Sequence, residues 1–115
     1  MLTGTDVVAE RTAFRMKEIL TQSDLDRVKM KKEDDGFDLY VDLHQMKAVE
    51  AKRLAKNLIA LIMEPCRIFF IHGYNHGTVL KQMIANDINS SKISQKTVLK
   101  DNPGVTSVAL YDHCA

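Results

Sequence analysis

Two clusters in this 115-residue sequence hold side chains able to move protons or hold anions: Asp42 with His44, and the run His72-Gly73-Tyr74-Asn75-His76-Gly77. Imidazoles titrate near neutrality, so one of His44, His72 and His76 can accept a proton while another gives one. Asp42 suits an orienting group or a second base. The plainer reading makes each histidine a hydrogen-bonded polar group at a strand end, and makes Asp42 an acceptor of backbone N–H bonds. Gly73 and Gly77 allow backbone N–H groups to converge, and Gly77-Thr78 opens a helix whose N-terminus favours phosphate. The plainer alternative there is a tight strand-to-helix turn. Lys47 and Lys81 are spaced to reach a phosphate from the flanks, and Tyr74 offers a ring for a base to stack on. Asp42 is the only carboxylate placed here, so a metal centre is not expected, with zinc held by His44, His72 and His76 alone as the alternative, and no other cofactor is expected.

These groups need a common edge, and the patterning supplies one. Phe37, Leu39, Val41 and Leu43 alternate with Asp38, Tyr40, Asp42 and His44, the period of a strand with Asp42 and His44 on one face. Ala51, Leu54, Ala55, Leu58, Leu61 and Ile62 recur at helical spacing, and Pro65 stops them, which predicts a helix over 46–63. Arg67 to Ile71 reads as a buried central strand. Leu80, Met83, Ile84 and Ile88 mark a second amphipathic helix. Two further strands, Ile93 to Leu99 and Val105 to Tyr111, are joined through Asp101-Asn102-Pro103-Gly104, a turn composition. A strand, helix and strand in succession predict a right-handed crossover between parallel strands. Their carboxyl ends then share the edge where ligands bind in open α/β sheets. Cys66 and Arg67 fall at the opposite end and are left out of the site.

The first third reads differently. A helix is expected from Thr5 or Asp6 through Leu20, and a second, capped by Ser23 or Asp24, with Leu25, Val28 and Met30. Residues 1–36 are taken as an N-terminal helical extension, with the boundary at Gly36 and the main domain over 37–113. A formal net charge of +1 excludes the strongly basic surface of a protein held to nucleic acid mainly by phosphate contacts, so any such contact must be local. Leu58 to Met63 is too short to span a bilayer, the N-terminus lacks a signal peptide, and two cysteines do not make a disulfide framework. A cytoplasmic protein without a membrane partner is expected; the sequence leaves the oligomeric state open.

Val41-Asp42-Leu43-His44 resembles the LDxH motif of Smr (small MutS-related) domains, and His72 to Gly77 resembles their HGxGTG loop. The resemblance covers residues 37 to 111, including the helix beginning at Met46, the hairpin after the second helix, and Gly104-Val105-Thr106. It implies a two-layer α/β sandwich of βαβαββ order with a mixed four-stranded sheet. It also implies activity on nucleic acid, either as an endonuclease nicking RNA or DNA or as a module that only binds. Motif and position together then make Asp42, His44 and His72 the expected catalytic residues, and Gly73, Tyr74, Asn75, His76, Gly77, Lys47 and Lys81 the expected substrate-holding ones. Asn75 stands where the family has a second loop glycine, and His76 where it has Thr. Two classes remain: a hydrolytic nuclease, favoured by the intact Asp42 and His44, and a non-catalytic nucleic-acid-binding or protein-interaction module, favoured by Asn75.

Overall fold

Period-two alternation over residues 36–42 builds a strand whose inward side chains, Phe37, Leu39 and Val41, are fully buried. Around it the computed structural model, which describes residues 4–33, 36–73 and 77–111, forms an α/β fold. The elements run α1 (Gly4–Ile19), α2 (Gln22–Leu25), β1 (Val28–Glu33), β2 (Gly36–Asp42), α3 (Ala48–Leu61), β3 (Cys66–Ile71), α4 (Gly77–Asp87), β4 (Ile93–Val98) and β5 (Val105–Leu110). The strands lie in the order β1-β2-β3-β5-β4. β2 and β3 are parallel, joined through α3, and the other three pairs are antiparallel.

The sheet has five strands where four were expected, and the fifth comes from the presumed helical extension. Its second helix is a single turn, α2, with Thr21 Oγ1 accepting from Asp24 N at 3.1 Å. After it the chain extends, because Val28 and Met30 alternate with Lys29 and Lys31, a strand pattern. β1 pairs with β2 from Val28 opposite Val41 to Glu33 opposite Gly36. The boundary expected at Gly36 therefore falls between two paired strands, and Ala9, Met16 and Leu20 of α1 share the core of the rest of the chain. Gly36 has φ +147°, backbone that side-chain-bearing residues rarely adopt. α1 already includes Thr5 and Asp6, so its start precedes the expected caps.

One face of the sheet is sealed. Phe37, Leu39 and Val41, with Ile68, Phe70, Val108 and Leu110, pack against Leu54 and Leu58 of α3 and Leu80 and Ile84 of α4 in one apolar cluster. Arg15 of α1 ties this layer together, with Nε donating to Leu61 O at 2.9 Å and a terminal nitrogen 2.5 Å from Glu64 Oε2. All six residues of β5 are buried. Two lysines close helix ends: Lys92 Nζ donates to Ile59 O, Ala60 O and Ile62 O after α3 at 2.8–2.9 Å, and Lys96 Nζ does the same for Ile84 O and Ala85 O of α4. Cations there complement the carbonyl end of the helix dipole. Among the described residues, no helix is long and apolar enough to cross a membrane.

Candidate functional site

The carboxyl ends of β2 and β3 meet, because the parallel ladder continues one step beyond β2: Leu43 N donates to Ile71 O at 2.9 Å. Asp42, the last residue of β2, then folds back on the turn that follows. Its Oδ1 accepts from the backbone N of His44 at 3.1 Å and is also hydrogen-bonded to His44 Nδ1. Both side chains remain about half exposed, His44 at 53% and Asp42 at 43%. A carboxylate on Nδ1 holds the proton there and leaves Nε2 as the basic nitrogen. The turn is completed by Met46 N donating to Leu43 O, with Gln45 at φ 66°.

Gly73 abuts this dyad. It has φ +81°, and a Cβ built on it would lie 3.7 Å from His44 Cβ. Gly104 O accepts from both His72 N and Gly73 N, at 2.9 and 3.0 Å, which docks the loop after β3 onto the turn before β5. The two sequence clusters are thus adjacent, but His72 is not exposed with His44. It is 2% exposed. Its Nε2 lies 2.9 Å from Thr106 Oγ1 and its Nδ1 3.3 Å from Gly73 O. In the neutral ring that satisfies both contacts, Nδ1–H donates to the Gly73 carbonyl and Nε2 accepts from the threonine hydroxyl. Burial, opposed by the Gly73 carbonyl and reinforced by the Lys81 cation, lowers the His72 pKa below the ordinary histidine value. With both nitrogens engaged, the ring ties the loop after β3 to Thr106 of β5 and stands apart from the exposed pair.

The remaining expected residues divide. Lys81 lies close enough to act on His72 electrostatically. Lys47 is exposed at the N-cap of α3, three residues beyond His44. Gly77 opens α4. Tyr74, Asn75 and His76 lie outside the described residues. Cys66 sits buried at the far end of β3, and burial, with Asp38 and Glu64 adding to it, pushes its thiol up to about 12, which leaves it protonated at neutral pH.

Arg27 belongs to the site and was missed. Its guanidinium donates to Asp42 O at 2.9 Å and reaches His44 O at 3.5 Å, while its own carbonyl accepts from Asp42 N at 2.9 Å. The signal was the alternation of Arg27, Lys29 and Lys31 with Val28 and Met30, which a helical reading of this stretch conceals. Beyond the dyad, α3 and α4 flank an open groove of about 440 Å³ lined by Ala48, Val49, Lys52, Val79 and Met83. Among the described residues, no three His, Cys, Asp or Glu side chains converge to hold a metal ion.

The geometry defines an exposed Asp–His pair at the carboxyl edge of the two parallel strands of a mixed α/β sheet. Comparison of the chain with protein-family models, with curated proteins and with solved structures finds no match.

Proposed function

We propose that the chain is an Smr-like domain that acts on nucleic acid, cleaving RNA with His44 as general base. The observation that carries this reading is the hydrogen bond from His44 Nδ1 to Asp42 at an exposed edge beside Gly73. It orients the ring and fixes the tautomer that leaves Nε2 free to accept a proton. In the proposed reaction His44 Nε2 takes the proton of a ribose 2′-hydroxyl. The 2′-oxygen bonds to the adjacent phosphorus, the bond from phosphorus to the 5′-oxygen breaks, and that oxygen leaves with a proton from water or from a second acid. His76, the third histidine of the expected cluster, is the candidate for that second role. Arg27 and Lys81 supply positive charge beside the phosphate. Because the nucleophile belongs to the substrate, this route needs no metal-activated water.

The sealed environment of His72 favours a second reading, a module that binds nucleic acid or protein without cleaving it, since it removes one of three candidate acid–base groups. Incubation with labelled single-stranded RNA in a chelator separates the two. Cleavage giving 2′,3′-cyclic phosphate ends, lost in His44→Ala, supports the nuclease. Cleavage of an all-deoxy strand, or activity that a chelator abolishes and a divalent metal restores, would show that the 2′-hydroxyl route is wrong.

A further inference from the structure

The second face of the sheet is built differently from the first. Cross-strand partners share a face, so the register places Lys29 of β1, Tyr40 of β2, Phe69 of β3 and Ser107 of β5 in one row. Lys31, Asp38, Arg67 and Ala109 form the next row, and Arg27, Asp42, Ile71 and Val105 the row at the carboxyl edge. All of the large apolar side chains of β2 point the other way, toward the helices. At the centre, Tyr40 and Phe69 stack with ring centroids 4.9 Å apart and planes 13° from parallel. Arg67 lies over Phe69, its guanidinium carbon 5.8 Å from the ring centroid. Both rings are only partly buried although β2 and β3 are interior strands.

Charge on this face is arranged to favour an anion. Arg27, Lys29 and Lys31 follow one another at alternate positions along β1, a basic stripe beside the aromatic pair. Among the described residues of this face, Asp42 is held by His44 and Asp38 has a partner, while Glu33 shares Lys31 at 3.7 Å in an exposed pair that a phosphate can replace. Lys29 is exposed. Stacking occupies one face of each ring with the other. The outer faces of the pair and the Arg67 guanidinium plane, flanked by cations on two adjacent interior strands, are left as the surface on which unpaired bases stack while the backbone tracks the basic side. A duplex offers no free base faces to such rings. The platform also runs into the candidate site, because Tyr40 and Asp42 stand two residues apart on the same strand and face.

Resting on the nucleic-acid reading above, the geometry points to single-stranded RNA as the substrate class. It is held on the open sheet face by Tyr40, Phe69 and Arg67, with its phosphates along Lys29 and Lys31, and fed toward Asp42 and His44. Binding specificity then resides in strandedness rather than in base sequence, since every base has a face to stack.

Fluorescence anisotropy of the full chain with a labelled 12-nucleotide 2′-O-methyl RNA, which cannot be cleaved, tests this apart from the chemistry, with the matching duplex as competitor. The expected result is preference for the single strand. Tyr40→Ser and Phe69→Ser should each weaken it about tenfold. Lys29→Gln with Lys31→Gln, two side chains on the exposed edge strand, should lower the slope of affinity against salt by about 1.4 without unfolding the protein. Single-strand binding that is unchanged by these variants overturns the inference and leaves the proposed cleavage standing. Binding to the platform without cleavage of ordinary RNA upholds the inference and overturns the nuclease. Equal binding of duplex, or self-association of the chain abolished by Phe69→Ser with no RNA bound, overturns the inference.

Discussion

β2 and β3 lie side by side, run in the same direction and end at the same edge, yet the histidines that follow them face opposite ways. Asp42 pairs with Ile71, and Leu43 then joins Ile71 through its backbone. His72 therefore falls in the layer of Leu43 and Phe70, toward the helices, while His44 falls in the layer of Asp42, toward the open face. One residue of register separates a half-exposed ring held by a carboxylate from a buried ring held by a threonine. Residue type and proximity to an edge are thus insufficient to assign proton transfer. The parity of the strand decides which histidine meets solvent.

The largest expected difference is in rate. His44→Ala should lower RNA cleavage by roughly 10²- to 10⁴-fold, the usual worth of a positioned base. Its thermal midpoint should stay close to the parent's, because the side chain is half exposed. Asp42→Asn should cost less, since the ring loses its orienting charge but keeps its nitrogen. If His72→Ala, corrected for its folded fraction, loses as much rate as His44→Ala, the distinction between the two strand ends is broken.

Stability should show the reverse order. His72→Ala leaves a cavity and an unpaired Thr106 hydroxyl, and denaturant unfolding should register a loss of about 2–4 kcal/mol. Thr106→Val keeps the volume and strands only the His72 nitrogen, for about 1–3 kcal/mol. A smaller effect comes with pH. Because the folded pKa of His72 is lowered, the unfolded chain binds a proton there that the folded chain refuses. The contribution is fully present above about pH 6.5 and is lost as pH falls toward the lowered value. Denaturant midpoints from pH 8 to 5 should fall more steeply for the parent than for His72→Gln. Smallest, and remote from both histidines, Lys92→Met and Lys96→Met should each cost about 1 kcal/mol by uncapping α3 and α4.

Much of this arrangement was legible. The Phe37 to His44 alternation, the α3 stripe with Pro65, and the crossover between parallel strands bring Asp42, His44 and Gly73 together. The orientation of His72 was legible too, since Cys66, Ile68, Phe70 and His72 alternate inward. β1 was hidden for a different reason: Val28 and Met30 are only two apolar positions, and a capping signal at Thr21 to Asp24 precedes them, so local helix chemistry masked a strand whose reason for forming is pairing with β2. The stacked pair was unreadable because Tyr40 and Phe69 are far apart in sequence and become neighbours only through the register. Arg67 stands near the start of β3, far from the carboxyl edge, and distance from an edge does not tell which face a residue occupies.

The position of β5 bears on how a chain made from its N-terminus reaches this state. It is the last of the described strands to be synthesised, yet it lies between β3 and β4, is buried along its whole length, and brings Thr106 to His72. Until it emerges, β3 presents a bare row of N–H and C=O groups beside Phe69 and Phe70, the kind of edge on which nascent chains pair with one another. A ribosome-bound chain arrested before residue 105 should accordingly be held in solution by chaperones, and release into the folded form should coincide with the arrival of a single strand.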